Sequence, residues 1–342
     1  MLKKVKLDEA IGMVLGHDMT KVIPGEYKGV AFHRGHIIKR EDIPELLSIG
    51  KEHIYIMEGE AGVHEEDAAL RIAKAVSGAD MELSTPSEGR INIKTKFHGL
   101  LKVNVPLLEE INSIGEIVLA TQHTNAICKS GATVAGTKIV PLYIAENKLD
   151  KLEKLCQAKG RVLEIIPFKI KKVGVVITGS EVFKGRIKDK FGETIAKKVG
   201  ALGSMINHQT IVPDDKALIA QAIIEMKSRG SEVIFVCGGL SVDPDDVTAE
   251  GVKESGGRII SYGAPVMPGT MFLYAMLQDI PILGAPACVL YNEATVIDVM
   301  LPRLLADDQV TREDIIKLGH GGLCLSCEEC HFIVCPFCRS TV

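Results

Sequence analysis

From residue 168 onward, continuous apolar runs alternate with stretches of helical period. KKVGVVITG (171–179) reads as a strand ending in glycine, ETIAKKVGALG as a helix and SMINHQTIV as a second strand. DDKALIAQAIIEMKSRG is a helix with Asp214 or Asp215 near its cap, and SEVIFVCGG is a third, buried strand. DDVTAEGVKESG, RIISYGAPV and PILGAP continue as helix, strand and short strand, before a helix from Asn292 to Leu305. Apolar runs without polar alternation belong to strands covered on both faces. The pattern therefore predicts an α/β fold, a mostly parallel sheet with helices on both faces. Right-handed crossovers carry each strand-to-helix loop to the carboxyl edge of such a sheet, where ligands bind.

The first 165 residues are less regular. Leu7 to Leu15 reads as a short amphipathic helix with Leu7, Ile11, Val14 and Leu15 on one side. Residues 28–58 read as a strand, a turn at Gly35, a helix from Pro44 capped by Asp42, a stop at Gly50 and a strand Ile54–Met57. HEEDAALRIAKAVSG predicts a helix with Gly78 beyond its end. The β-branched runs INIKTKFHGLLKVNV and ATVAGTKIVPLYI predict a β-rich or small α/β module, and ENKLDKLEKLCQAKG (146–160) a helix beyond it. The expected organisation is a small N-terminal region (1–60), a middle module (61–165), the large α/β domain (166–310) and a cysteine-rich tail (311–342).

Composition adds exclusions. The 342 residues are 46% hydrophobic and 25% charged, ordinary for a soluble globular protein. A net charge of −4 gives no basic excess for a nucleic-acid partner, and the lack of tryptophan argues against base stacking. No stretch has the ~18–20 uninterrupted apolar residues of a membrane span, and the N-terminus lacks a signal-peptide core. A cytoplasmic protein without membrane or nucleic-acid partners is expected. His98 and His123 carry no evident chemistry.

Three loops should meet at the carboxyl edge of the large sheet: Thr178-Gly179-Ser180-Glu181, running on through Gly185 to Asp189; Gly238-Gly239-Leu240-Ser241 through Asp245-Asp246 to Thr248; and Pro265 to Thr270, with Gly284-Ala285-Pro286 nearby. Paired glycines let backbone N–H groups approach an anion, and a following helix N-terminus favours negative charge. Adjacent carboxylates such as Asp245 and Asp246 suit a hard cation bridging phosphate oxygens. Together the loops favour a phosphorylated ligand.

With TGSE (178–181), PDD (213–215), GGLSVDPDD (238–246) and PGT (268–270), the segment from about 171 to 305 resembles the molybdopterin-binding domain shared by enzymes that adenylylate molybdopterin and insert molybdate into it. Residues 6–57 resemble the amino-terminal linking region of the insertion enzyme, in VKLDEAIGMVLGHDM and RGHIIKREDIPELLSIG. The resemblance implies that Gly238, Gly239 and Ser241 cradle a pterin or AMP phosphate. It matches Glu181 and Asp246 to acids of the insertion site, where Asp245 could join them around Mg²⁺, and Asp189 to an acid of the following loop. Thr178, Gly179, Ser180, Thr248, Pro268, Gly269, Gly284 and Pro286 complete the implied ligand set. The implied activity is molybdate insertion into adenylylated molybdopterin with AMP release; the alternative is a non-catalytic molybdopterin- or nucleotide-binding carrier, or a redox-sensing protein with a C-terminal metal site. A molybdoenzyme client and a homo-oligomer are the implied partners. The family's lysines beside and after PG are here Met267 and Thr270, its Asp in TG-x-E is Ser180, and its Asn after the Asp189 position is lost near Lys190-Phe191. GAPACVLYNEA (284–294) replaces GLPGNP, and Lys184, Arg186 and Lys188 are the replacement cations at hand.

The tail carries separate chemistry. Five of the nine cysteines fall in Cys324-x2-Cys327-x2-Cys330-His331-x3-Cys335-x2-Cys338. No apolar periodicity calls for them, and in a reducing compartment such spacing points to metal. The run is one residue longer than bacterial ferredoxin spacing, and as Cys-x2-Cys-x4-Cys-x2-Cys it could close a zinc site, so an Fe–S cluster and Zn²⁺ both stand. His320 and His331 are weaker candidate ligands. Cys128, Cys156, Cys237 and Cys288 are isolated and expected to pack as small hydrophobes.

Overall fold

The computed structural model describes residues 2–23, 25–57 and 62–339. The expected boundary at residues 60 and 61 lies outside them. The chain divides into two units: one comprises residues 1–94, 106–121 and 133–162, the other 95–105, 122–132 and 163–342.

In the first unit, strands Leu2–Lys6 and His53–Met57 pair antiparallel, as do Met19–Ile23 and Tyr27–Phe32. A four-stranded sheet runs in the order Met81–Leu83, Ile91–Thr95, Thr133–Ile139, Ile117–Thr121. Helices Glu65–Val76 and Glu146–Lys159 are tied by Arg71, which reaches Glu146, Asp150 and Glu153. The expected Leu7–Leu15 helix shrinks to a 3₁₀ turn at Leu7–Glu9, because Gly12 takes a left-handed φ of 84°. Leu7 and Leu15 are still buried, while Ile11 faces out. Asp42 does not cap the helix Ile43–Ser48; its carboxylate accepts from Lys39 N–H and meets His36 Nε2 at 2.7 Å. Helix Val105–Asn112 and strand Ile117–Thr121 were not anticipated.

The second unit is built on a six-stranded sheet. Its elements are β1 (Lys172–Thr178), α1 (Ser180–Phe183), α2 (Phe191–Gly200), β2 (Met205–Val212), α3 (Lys216–Ser228), β3 (Val233–Cys237), α4 (Thr248–Glu254), β4 (Arg258–Tyr262), β5 (Leu273–Leu277), β6 (Ile280–Ala285), α5 (Val296–Leu305) and α6 (Arg312–Lys317). The order is β2-β1-β3-β6-β5-β4, with β2, β1, β3 and β6 parallel and β5 antiparallel to both neighbours. A smaller sheet of Ile127–Cys128, Gly99–Val103 and Leu163–Pro167 belongs to the same unit.

Alternate side chains of the central strands enter two cores, as burial on both faces requires. Val173, Val175, Ile177, Phe235 and Leu283 join the α2 and α5 side, with Ile195 and Met300. Val176, Ile234, Val236 and Ile282 join the α3 side, with Ile219, Ile223 and Met226. Gly174 lets α3 approach: a Cβ there would lie 2.9 Å from Met226 Cβ and 2.6 Å from Ser231 Oγ.

Strand β5 was not anticipated. Its turn to β6 uses Gln278 at a φ of 56° rather than a glycine, so the hairpin has no sequence signature. Helix α5 starts at Val296 rather than Asn292. Thr295 and Asp298 form its capping box, and Ala287–Leu290 coils as a separate 3₁₀ turn.

Candidate phosphate-binding edge

Strand register brings the carboxyl ends together: Thr178 pairs with Val212, Ile177 with Cys237, and Cys237 with Ala285. The first two loops are knotted there. Thr178 Oγ1 donates to Cys237 O at 3.3 Å and lies 3.2 Å from Thr248 Oγ1, which donates to Gly238 O at 3.0 Å. Gly238 and Gly239 hold φ of 93° and 59°. A Cβ on Gly239 would meet Thr248 Oγ1 at 2.4 Å, and one on Gly238 would meet Thr178 O at 2.6 Å. Both glycines are therefore required by the backbone and by the packed threonines. Among the described residues, no acceptor is paired with the N–H of Gly239 or Leu240.

The remaining candidates separate by role. Ser180 N–H donates to Asp214 Oδ2 at 2.8 Å and Asp214 N–H to Ser180 Oγ at 3.3 Å, which locks the TGSE loop to the PDD turn. Asp215 caps α3 through the N–H groups of Ala217 and Leu218. Asp189 accepts from Phe191 and Gly192 N–H at 2.8 and 3.0 Å, so it fixes the start of α2. Asp246 Oδ2 accepts from Ser241 N–H at 2.5 Å, which closes the second loop on itself. Asp245 and Glu181 are exposed, as are Lys184, Arg186 and Lys188. Gly179 lies close to Glu181, whose carbonyl accepts from Arg186 N–H at 2.9 Å. Among the described residues, no three of His, Cys, Asp and Glu converge on a cation position.

At the third loop, Gly269 and Gly284 are buried and serve packing. A Cβ would lie 2.6 Å from Val296 Cγ1 in the first and 2.7 Å from Leu273 Cβ in the second. Pro286 is buried ahead of the 3₁₀ turn, and Pro268 O accepts from Val296 N–H. Thr270 Oγ1 donates to Val266 O. Met267 is exposed, and its backbone is paired with the cysteine tail through Met267 N–H to Gly322 O at 2.7 Å and Cys324 N–H to Met267 O at 2.8 Å.

Tyr262 escaped sequence reasoning. At the end of β4 it reaches the second loop and donates to Leu240 O at 3.1 Å. Burial, with Asp246 and Glu250 nearby, raises its phenol pKa and keeps that donor protonated. A lone tyrosine before a glycine has no motif to mark it.

In the tail, Cys324, Cys327, Cys330, Cys335 and His331 line one cavity of about 260 Å³. Cys338 lines a neighbouring cavity with Arg339 and Thr124; burial pushes its thiol up to about 12, and Cys335 and Cys324 lie close enough to add to that rise. Burial likewise raises the thiols of Cys128, Cys156, Cys237 and Cys288, as expected of packed side chains.

A doubly covered, mostly parallel sheet with glycine-turned loops at its carboxyl edge defines the class of this unit. Residues 174–305 match the model of a probable molybdopterin binding domain. Residues 4–58 match a domain of unknown function. A CinA-like protein of Mycobacterium tuberculosis is 39% identical over 87 residues, 25% of this chain and 20% of the relative. One from Citrifermentans bemidjiense is 35% identical over 86 residues, with the same shares. The chain thus spans about a fifth of the length of these curated relatives. Among solved structures, the tungsten cofactor synthesizing protein MoaB from Pyrococcus furiosus is 21% identical, covering 42% of this chain and 99% of that one at a TM-score of 0.34. A molybdopterin biosynthesis moea protein from Pyrococcus horikosii is 14% identical, covering 90% and 75% at 0.35.

Proposed function

We propose that the carboxyl edge of this sheet binds adenylylated molybdopterin through its phosphates. The observation that carries the reading is the knot of Thr178, Gly238 and Thr248, which holds the TGSE and Gly-Gly loops at one point. Among the described residues the N–H groups of Gly239 and Leu240 have no acceptor, which leaves the donors a phosphate oxygen needs. Asp246 positions Ser241, and Tyr262 braces Leu240. Insertion of molybdate asks for more: cations that neutralise an oxyanion as the phosphoanhydride is cleaved. Met267 and Thr270 stand at the positions expected to supply them, Met267 paired to the tail and Thr270 to Val266. That favours a protein that binds and carries the ligand, with insertion as the second reading. A Mg²⁺ ion here would draw ligands from the bound phosphates, since the carboxylates do not converge alone.

One experiment tests both readings. Purified protein is mixed with adenylylated molybdopterin, Mg²⁺ and molybdate. Tight binding without AMP supports the carrier. AMP release that disappears in Asp246→Ala supports the transferase. Absence of binding removes the site.

A further inference from the structure

We propose that Cys324, Cys327, Cys330 and Cys335, with His331 as a further donor, form a thiolate site for a soft transition-metal centre whose occupancy is transmitted to the loop at residues 265–270. These five side chains line one cavity, walled on the far side by Tyr291, Asn292 and Ala294. No packing explains the two outer thiols: Cys327 and Cys330 are exposed, and no helix or strand spans residues 324–339. Soft metals are what clustered thiolates select, and a cavity of about 260 Å³ has room for an ion or a small cluster.

Both ends of this segment are tied to the fold. Cys324 is held by its N–H bond to Met267 O, and Gly322 O accepts from Met267 N–H. Gly322 sits so close that a Cβ would fall 2.4 Å from Pro265 O. At the other end Phe337 is buried in the core, and Cys338 N–H donates to Gly321 O at 2.9 Å, which closes the segment at its base. Among the described residues no three ligand atoms yet converge. Binding therefore draws Cys327 and Cys330 inward over two anchored neighbours, an ordering that metal binding commonly drives. Because Cys324 is both a donor and the residue bonded to Met267, its capture by a metal stiffens the strand-like pairing at Met267.

The test uses the full chain, purified anaerobically, with one portion given Zn²⁺ alone and another Fe³⁺ with sulfide and excess thiol. Metal analysis and the visible spectrum are then compared with those of Cys327→Ser/Cys330→Ser, in which both changes fall on exposed residues. About one colourless Zn²⁺ per chain, or a brown stoichiometric cluster, lost in the double variant, supports the site and says which metal it takes. Metal absent in both portions, or retained in the double variant, overturns it. Hydrogen exchange reads the second half of the proposal. The Met267 amide should exchange at least several-fold more slowly when loaded; metal bound with unchanged exchange there overturns the coupling.

Discussion

Thr178 and Thr248 are 70 positions apart in the chain, yet their hydroxyl oxygens lie 3.2 Å apart beneath the Gly238-Gly239 turn. That contact joins the end of the first strand to the start of a helix two strands later. It makes the position of one loop depend on the other.

Substituting Gly239 should therefore be costly for two separable reasons. Gly239→Ala introduces a Cβ at a φ of 59° and 2.4 Å from Thr248 Oγ1. Strain of this kind costs about 1–3 kcal/mol, seen as a lower thermal midpoint. Adding Thr248→Ala removes the steric part. A double variant no more stable than the sum of the two single losses would show that the clash contributes nothing.

The two neighbouring aspartates should behave differently. Asp246→Ala frees Ser241 N–H, whereas exposed Asp245 closes no such bond with its carboxylate. Losing a charge-assisted hydrogen bond corresponds to about a tenfold drop in affinity for adenylylated molybdopterin, measured by titration calorimetry. Asp245→Ala should change affinity less than about threefold. Equal losses in both would point to a shared cation instead.

A buried charge network holds the end of the large domain. Asp308 accepts from Arg303 Nε at 2.5 Å and from Lys102 Nζ at 2.8 Å, and Arg303 is only 7% exposed. Asp308→Ala leaves the buried guanidinium with Gln309 O and, at 3.4 Å, Asp314 as its remaining partners, and should cost about 3 kcal/mol in urea unfolding. Arg303→Met in that background should recover part of it. Asp308→Ala with a change below about 0.5 kcal/mol would count against the network.

The first unit should lose stability as pH falls. Burial, then the nearby Lys51, lowers the pKa of His17; burial, then Arg34, lowers that of His64. Both folded values lie below the usual 6.5. The unfolded chain thus binds more protons near and below that pH. Their contribution is complete above pH ~6.5 and is lost as pH drops through the folded values. Glu65, raised by burial, works in the opposite sense at more acidic pH. Thermal midpoints should fall between pH 7.5 and 5.5, and less steeply in a His17→Gln/His64→Asn variant. Parallel profiles would exclude these two histidines as the source.

The carboxyl-edge loops were legible because continuous apolar runs and glycine turns are local signals. Val173 to Ile177 can only be a strand buried on both faces, and the loop that follows it must emerge at one edge. Tyr262 and the hairpin at Gln278 were not legible. Each acts through a partner distant in sequence or through a backbone angle that no residue type announces.

Local chemistry in the chain determined the alternation of strands and helices, the three loops and the crowding of cysteines, since each needs only neighbouring residues to declare itself. Tertiary structure decided which of those residues are committed to the fold. Asp189 caps a helix, Ser180 is locked to Asp214, and Gly269 and Gly284 yield to packed side chains. Hydrogen-bond capacity and space at a crowded sheet edge are shared among distant segments, so their allocation appears only when the chain is folded.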